Sequence, residues 1–163
     1  AGGRWAEGRT GGFFRSQPGG GPVDIISRGF ENLVEVEFLP GGEVIGTDNW
    51  YQEPADGYRD ALVDCAPGGL YPFRTEEGTP LPRTGLTLPP VVLLPAVAHS
   101  GLTRLRGSGF PPEWRDSLFV AEHNTRKVSR HALRPHGSTF ASDRFDFVTG
   151  SHPDFHPADV LED

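Results

Sequence analysis

Histidine is the residue type in this sequence best suited to move a proton near neutral pH, because its unperturbed pKa is about 6.5. His123 follows the apolar segment 117–121, and His156 lies near the end of the chain, between two prolines. We predict that His123 and His156 are the acid and base of a catalytic site. The alternative interpretation is that both are solvent-exposed loop residues without a catalytic role.

Asp48 and Asn49 follow another apolar segment and supply side-chain oxygens. Hard cations such as calcium prefer oxygen ligands, so these two residues are the predicted metal ligands. The simpler alternative is an Asx turn in which the side chain of Asp48 closes the end of the strand. Trp50 could stack on a sugar ring, as could Tyr51 and Trp114, but aromatic residues at loop starts also serve to pack strands together.

Arg59 precedes the apolar segment 60–65 and would bind an anion if it faced a channel. We therefore predict Arg59 as a cofactor-binding residue. The structural alternative is an ion pair with Asp60 or with a neighbouring part of the fold, and such a surface pair contributes little stability.

The elements that position these residues are predicted to be short β-strands. The chain of 163 residues has 22 Gly and 16 Pro, and residues of these types punctuate turns and break helices. Residues 33–38 alternate strictly, with Val34, Val36 and Phe38 on one side and two glutamates on the other, which predicts a half-buried strand. Further strands are predicted over 11–15, 23–27, 43–47, 60–65, 70–73, 102–106, 117–121, 127–133 and 145–148, and residues 110–115 are predicted to form a turn or one helical turn.

These strands recur in groups of four, which is typical of propeller blades. The predicted fold class is all-β: a partial β-propeller of about two and a half four-stranded antiparallel blades. Residues 1–28 are predicted to end one blade with a hairpin, 29–98 to form a blade plus a Pro-rich connection, 99–152 to form the next blade, and 153–163 to begin a further, truncated blade. A β-sandwich is the alternative architecture. Blade symmetry would place the loops after residues 48 and 121 at one mouth of the propeller.

Composition excludes several functions. The net charge of −7 argues against a nucleic-acid partner, and the sequence contains no uninterrupted apolar run long enough to span a membrane. The single cysteine, Cys65, excludes an intrachain disulfide and any multi-cysteine metal site, and it is expected to be a small core residue. We expect the chain to be a piece of a longer protein and, on its own, to leave apolar blade faces exposed.

A family resemblance rests on several segments in order. These are Ser27–Asn32 (SRGFEN), Thr47–Asn49 (TDN), Arg59–Ala61 (RDA), Gly68–Tyr71 (GGLY), Ser100–Leu102 (SGL), Asp116–Phe119 (DSLF), Arg126–His131 (RKVSRH) and Pro153–Val160 (PDFHPADV). Over residues 29–72 and 95–163 the chain resembles the glucose/sorbosone dehydrogenase-like propellers. Within them it is most similar to the N-terminal propeller of the membrane-bound dehydrogenases of planctomycetes and related bacteria.

The resemblance implies a sugar or alcohol dehydrogenase outside the cytoplasm, periplasmic or membrane-associated, that acts on a small sugar or polyol. It also implies a cytochrome c domain in the same full-length protein, whose haem would lie outside this chain. Better-understood relatives hold pyrroloquinoline quinone (PQQ) with a lysine and an R-x-R-D-V segment. Here Asn124 stands at the lysine position, and Ala158 follows His156 where the second arginine would fall. Asn124 is therefore the predicted cofactor residue, PQQ binding is not expected, and the alternative is a carbohydrate-binding or scaffold propeller that has lost the quinone.

Overall fold

The computed structural model describes residues 10–50, 59–72 and 85–163 and contains ten β-strands. Within these ranges one 3₁₀ turn, Pro112–Trp114, is the single helical element, and it lies in the segment 110–115 that was predicted to form a turn or one helical turn. No helix in the described part of the chain is long and apolar enough to cross a membrane. The strands are β1 (Gly11–Arg15), β2 (Asp24–Phe30), β3 (Val36–Phe38), β4 (Val44–Asn49), β5 (Asp60–Asp64), β6 (Val92–Leu94), β7 (His99–Arg104), β8 (Leu118–Glu122), β9 (Lys127–His136) and β10 (Thr139–Thr149).

The strands form one antiparallel hairpin and two four-stranded antiparallel sheets. β1 pairs with β2, and the first sheet has the order β3-β4-β5-β6. The second sheet has the order β10-β9-β8-β7, so each sheet is a simple meander that follows the chain. The all-β class and the four-stranded grouping predicted from the sequence are confirmed. The assignment of residues 1–28, 29–98, 99–152 and 153–163 to successive blades stays a prediction.

The fourth strand of the first sheet does not lie where the sequence predicted it. Residues 70–72 form no strand, and Leu70 makes an isolated parallel bridge with Arg28 of β2. The position is taken by β6, whose Val92 pairs with Leu62. β6 lies in the Pro-rich connection, where prolines on both sides limit it to three residues.

A shared core joins the two sheets. Ile45 and Leu62 of the first sheet pack in one cluster with Leu102, Leu118 and Val120 of the second, and all five are buried. Alternate side chains of a strand point to opposite faces, so each central strand also contributes to a core on its other face. On the first sheet that other core contains Phe30, Trp50 and Tyr71, among others.

The strand β3 does not bury its apolar side alone: Val36 packs against the first-sheet core, but the glutamate side also faces inward. Glu37 is buried, whereas Phe38 is 55% exposed and Val34 is also exposed. The Glu35 carboxylate accepts a hydrogen bond from the backbone N–H of Leu102 at 2.7 Å, and Glu37 accepts one from that of Arg104 at 3.0 Å. The glutamates face inward because β7 presents backbone donors along this edge, and a buried N–H requires an acceptor.

The last residues of the chain run beside β7 without forming a strand. Ser100 donates a hydrogen bond from its hydroxyl to the carbonyl of Pro157 at 2.8 Å. The Glu162 carboxylate accepts bonds from the backbone N–H groups of Arg106 and Gly107, each at 2.6 Å. Carboxylates therefore accept from the backbone donors of this region on two sides. Those of β3 bind the N–H groups at 102 and 104, and that of Glu162 binds the N–H groups at 106 and 107.

Candidate functional site

The predicted site lies at the edge where β4 and β8 end and where β5 and β7 begin. The Nε2 atom of His99 lies 2.8 Å from the backbone carbonyl oxygen of Asp48, which joins the start of β7 to the end of β4. The backbone N–H of His123 donates to the carbonyl of Ala98 at 3.1 Å. Asp48 and His123 therefore lie on the same edge of the two sheets, as blade symmetry predicted. We call this edge the rim.

His123 and His156 are in direct contact on the rim. Their rings stack with centroids 4.4 Å apart and planes inclined by 18°, and both residues are exposed. The Nδ1 atom of His156 lies 2.8 Å from the backbone carbonyl of His123. A carbonyl can only accept, so Nδ1 carries the proton, and a neutral His156 keeps the lone pair on Nε2. The geometry thus leaves one imidazole nitrogen of His156 able to accept a proton.

Asp48 has a different environment from the two histidines. Its side chain is buried, and its oxygens accept backbone hydrogen bonds from Asn32 at 2.8 Å and Glu31 at 3.4 Å. Burial raises the pKa of Asp48 to about 6, although the two backbone bonds act in the opposite direction. These contacts are those of a carboxylate that closes the turn into β3. The role of Asp48 as a metal ligand stays a prediction.

Asn49 belongs to a chain of side-chain hydrogen bonds. Its amide nitrogen donates to the carboxylate of Asp60 at 2.6 Å, and its carbonyl oxygen accepts from the amide of Asn32 at 3.0 Å. The second carboxylate oxygen of Asp60 accepts from the backbone N–H of Ala98 at 2.8 Å. In the described part of the chain, no group of three or more His, Cys, Asp or Glu side chains is arranged to hold a metal ion.

His99 is a rim residue that the sequence analysis did not single out. It is 4% exposed, and its Nε2 also lies 3.6 Å from the carboxylate of Asp60. Its Nδ1 is buried and has no hydrogen-bond partner. The residue before it, Ala98, has a φ of 49°, a left-handed conformation that costs energy for an alanine. The strand predicted from the sequence covered 102–106, whereas β7 begins at His99, so no sequence signal marked this residue.

The two predicted cofactor residues lie on or next to the rim. The side-chain amide of Asn124 donates to the carbonyl of Ala96 at 3.3 Å, so this group already serves the connection before β7. Arg59 is exposed and directly precedes β5, where its backbone N–H donates to the carbonyl of Leu94 at 3.1 Å. Their roles toward a cofactor stay predictions.

The aromatic residues considered for sugar stacking have other partners or lie outside the described ranges. Trp50 is buried in the first-sheet core, and Tyr51 lies outside the described residues. Trp114 stacks on Phe110 and lies under the guanidinium of Arg130, whose carbon is 4.6 Å from the ring centroid. Packing is therefore the observed role of Trp50 and Trp114.

A second buried polar network lies behind the rim, on β8, β9 and β10. Glu122 is fully buried and accepts two hydrogen bonds from the guanidinium of Arg144, at 2.9 and 2.7 Å, and one from the hydroxyl of Ser129 at 2.6 Å. Burial alone would raise the pKa of Glu122, but these hydrogen bonds outweigh burial, so the pKa is lowered. His131 is also fully buried, and burial lowers its pKa to about 4.

No protein-family model and no curated protein matches the chain, and comparison with solved structures finds proteins of similar fold. An oxidoreductase described as a glucose dehydrogenase, from Thermus thermophilus, aligns with a TM-score of 0.54 and 19% identity over 77% of this chain and 34% of its own. An aldose sugar dehydrogenase from Streptomyces coelicolor, in its PQQ-bound form, aligns with a TM-score of 0.53 and 19% identity over 82% and 34%. Another glucose dehydrogenase gives 0.51 and 24% identity over 78% and 38%.

The fold is that of a partial β-propeller. Three observations support this fold. The chain is all-β, it forms two complete four-stranded sheets and a further hairpin, and it is similar in structure to sugar dehydrogenase propellers. The chain spans 34% to 38% of the length of these solved structures. The predicted glucose/sorbosone dehydrogenase-like propeller is thus confirmed as a fold, and the membrane-bound planctomycete type stays a prediction.

Proposed function

We propose that this chain is part of a sugar or alcohol dehydrogenase-like propeller in which His156 is the base that accepts the proton of a substrate hydroxyl. The observation that carries the proposal is the hydrogen bond between Nδ1 of His156 and the carbonyl of His123, which assigns the lone pair of the neutral ring to Nε2. The exposure of both rings leaves this nitrogen within reach of a small molecule.

The chemistry is the oxidation of a carbinol group. The hydroxyl proton moves to Nε2 of His156, and the hydrogen on carbon leaves with two electrons to a redox acceptor that is not part of this chain. The stacked ring of His123 fixes the plane of the base, and its carbonyl stabilises the positive charge that forms on the His156 ring. A general base of this kind contributes about 10²- to 10⁴-fold to a rate.

The rim does not fit PQQ well. The cofactor is acidic and would be held best by arginine or lysine forks. Of the two residues predicted to contact it, Asn124 uses its amide on the Ala96 carbonyl, and Arg59 supplies a single guanidinium.

The oxygens of Asp48 and Asn49 already accept hydrogen bonds, which does not favour calcium at these two residues. In this proposal the acceptor of the hydride would be a quinone cofactor held by parts of the protein outside this chain. A cytochrome c domain of the full-length protein would then take the two electrons from it one at a time, and the location would be outside the cytoplasm.

The second candidate function is a carbohydrate-binding or scaffold propeller without catalysis. The engagement of Asp48, Asn49 and Asn124 in internal hydrogen bonds favours it, because these side chains, predicted to hold a metal or cofactor, serve the protein itself. In this case the exposed His123 and His156 would contact sugar hydroxyls and no electrons would move.

A dye-linked oxidation assay distinguishes the two functions. The full-length protein is tested with a panel of aldoses and polyols, with PQQ and calcium added in one arm. We expect oxidation of at least one sugar, with a rate reduced at least about 100-fold by His156→Ala and unchanged by the matched control His152→Ala. His152 is an exposed histidine in the same segment. No oxidation of any substrate in either arm, together with sugar binding that His156→Ala weakens, would establish the binding module instead.

A further inference from the structure

A buried carboxylate lies at the rim, at the first position of β5. Asp60 is 2% exposed, and a carboxylate at this depth needs hydrogen-bond donors for its oxygens. Oδ1 accepts from the side-chain amide of Asn49 at 2.6 Å, and Oδ2 accepts from the backbone N–H of Ala98 at 2.8 Å. Asp60 therefore ties the end of β4 to the residue that precedes β7.

Ala98 is held in a conformation that alanine rarely adopts. Its φ of 49° lies in the left-handed region, where the Cβ atom approaches the following carbonyl, and such a residue persists only where surrounding contacts fix it. Its N–H is held by Asp60. Its carbonyl accepts from the backbone N–H of His123 at 3.1 Å, and the carbonyl of Val97 accepts from that of Asn124 at 2.9 Å. The φ of Ala98 helps to set the angle between these two carbonyls, so its relaxation would separate them and release the loop after β8.

The same contacts continue to the proposed base. The carbonyl of His123 accepts from Nδ1 of His156 at 2.8 Å, and this bond leaves the lone pair of the neutral ring on Nε2. The path from Asp60 to His156 thus consists of three hydrogen bonds, of 2.8, 3.1 and 2.8 Å, joined by the backbone of Ala98 and His123. A shift of the Ala98 carbonyl moves the backbone of His123 and with it the acceptor of the His156 ring.

Asp60 itself is not placed to contact a substrate. Both of its oxygens accept hydrogen bonds, and the residue is buried. An ionisable group beside it is His99, whose Nε2 lies 3.6 Å from Oδ1. That nitrogen is 2.8 Å from the carbonyl of Asp48, which can only accept, so Nε2 carries a proton that is directed to the carbonyl. These contacts suit a positioning role for Asp60 and not proton transfer.

We propose that Asp60 is a positioning residue of the rim, which holds Ala98 in its left-handed conformation and thereby orients His123 and the proton-accepting nitrogen of His156. The proposal deepens the function proposed above and rests on it for the role of His156 in catalysis. The hydrogen-bond path itself can be measured without a substrate. Loss of the Asp60 carboxylate changes the rim even in a protein that oxidises no sugar, so the two proposals can fail separately.

Nitrogen-15 NMR of the histidine side chains measures the effect of Asp60→Asn on His156. One carbonyl oxygen then remains for two donors, so the variant cannot hold both the Ala98 N–H and the Asn49 amide as the carboxylate does. We expect neutral His156, protonated on Nδ1 in the parent, to gain a population protonated on Nε2, and the amide of His123 to exchange faster with solvent. An unchanged His156 tautomer would overturn the proposal. Asp60→Glu, which keeps the charge but displaces the oxygens by a methylene group, is the second variant if Asp60→Asn does not fold, and it should change the tautomer in the same direction.

A matched control separates positioning from general destabilisation. Asp64 is a buried carboxylate at the opposite end of β5, where it accepts a hydrogen bond from the hydroxyl of Thr139 at 2.9 Å. Asp64→Asn should therefore leave the His156 signals as they are in the parent. The same tautomer change in Asp64→Asn and Asp60→Asn would contradict a specific role for Asp60.

A rescue variant tests the link through Ala98. Adding Ala98→Gly to Asp60→Asn should restore much of the Nδ1-protonated form of His156, because glycine adopts a positive φ without strain and no longer needs Asp60 to hold it there. Absence of any recovery would show that the conformation of Ala98 does not connect Asp60 to His156, and the proposed path would be wrong.

Kinetics of the full-length protein test the consequence for catalysis. With a sugar that the parent oxidises, Asp60→Asn should lower kcat about 10- to 100-fold and leave KM nearly unchanged, because the base is misplaced while the substrate contacts remain. Asp64→Asn should keep the kcat of the parent. An unchanged kcat and tautomer in Asp60→Asn, with activity that still requires His156, would refute the positioning role alone. A shifted tautomer in a protein that oxidises no sugar would support the positioning of His156 and refute its role as a base.

Discussion

Glu37 and Arg104 join the first strands of the two sheets: the Glu37 carboxylate accepts a hydrogen bond from the backbone N–H of Arg104 at 3.0 Å. Its other oxygen accepts one from the side chain of Arg106 at 2.5 Å. Glu35 makes the same kind of contact to Leu102, two residues earlier in β7. The edge of β7 is thus closed by acidic side chains, and it offers no free row of donors at 102 and 104 to a strand of another molecule.

Replacing this carboxylate should destabilise the protein. In Glu37→Ala the backbone N–H of Arg104 and the side chain of Arg106 lose an acceptor, and an unsatisfied buried donor costs about 1–3 kcal/mol. Urea unfolding followed by circular dichroism measures the change in the free energy of unfolding. Glu113→Ala, at an exposed position, is the control and should stay within about 0.5 kcal/mol of the parent. Equal stability of the two variants would contradict the role of Glu37.

His131 should make the protein less stable as pH falls from about 6.5 to about 4. Burial lowers its pKa to about 4 in the folded state, while the unfolded chain keeps the usual value of 6.5. Between these values the unfolded state binds more protons, so the free energy of unfolding rises with pH, by up to about 3 kcal/mol in total. Because Asp48 acts in the opposite direction over the same pH range, the test compares the parent with His131→Gln: from pH 4 to pH 7 the free energy of unfolding of the parent should rise relative to that of the variant by up to about 3 kcal/mol. An unchanged slope in the variant would assign the effect to other groups.

Asp48 contributes to stability with the opposite sign over almost the same pH range as His131. Burial raises its pKa to about 6 from 3.8, so the folded state binds the proton more tightly than the unfolded state. Its contribution to stability is present below about pH 3.8 and is lost as pH rises through about 6. Asp48→Asn removes this loss. The stability of the variant relative to the parent should therefore rise by up to about 3 kcal/mol between pH 4 and pH 7, and a pH-independent difference would contradict the shift.

The fold class was predictable because turns and strand patterns are local. Glycines and prolines marked the turns, and the apolar segments 60–65 and 117–121 became the central strands β5 and β8. The inward position of the glutamates of β3 was not predictable, because the backbone donors of Leu102 and Arg104 that they bind are distant in sequence. β6 was missed for a related reason: three residues between prolines form a strand only because β5 lies beside them.

The rim was predictable in place and less so in detail. Repetition of the strand–loop pattern placed Asp48 and His123 on one edge, and the contacts of His99 and Ala98 connect them there. The stacking of His123 on His156 needs the return of the chain after residue 150, which no local pattern encodes. The buried contacts of Asp48 and His99 depend on packing between the sheets, so sequence alone could not separate a closed turn from an open ligand site.

The tautomers of two histidines test the hydrogen-bond assignments directly. For neutral His156 we expect the proton on Nδ1, because its partner is the carbonyl of His123. For His131 we expect the opposite tautomer. The Ser129 hydroxyl donates to Glu122, so its oxygen accepts from Nε2 of His131, and Nδ1 then accepts from the hydroxyl of Ser142 at 3.0 Å.

Nitrogen-15 NMR of histidine side chains at pH 7.5 distinguishes the two forms, because protonated and unprotonated ring nitrogens differ widely in chemical shift. Assignment uses His156→Gln and His131→Gln, each of which removes one set of signals. If His156 is instead protonated on Nε2, it has no lone pair there to accept a proton, and the proposed base is wrong. If His131 has the Nδ1 proton, the hydrogen-bond chain from Glu122 runs in another direction, although its burial and its effect on stability would be unchanged.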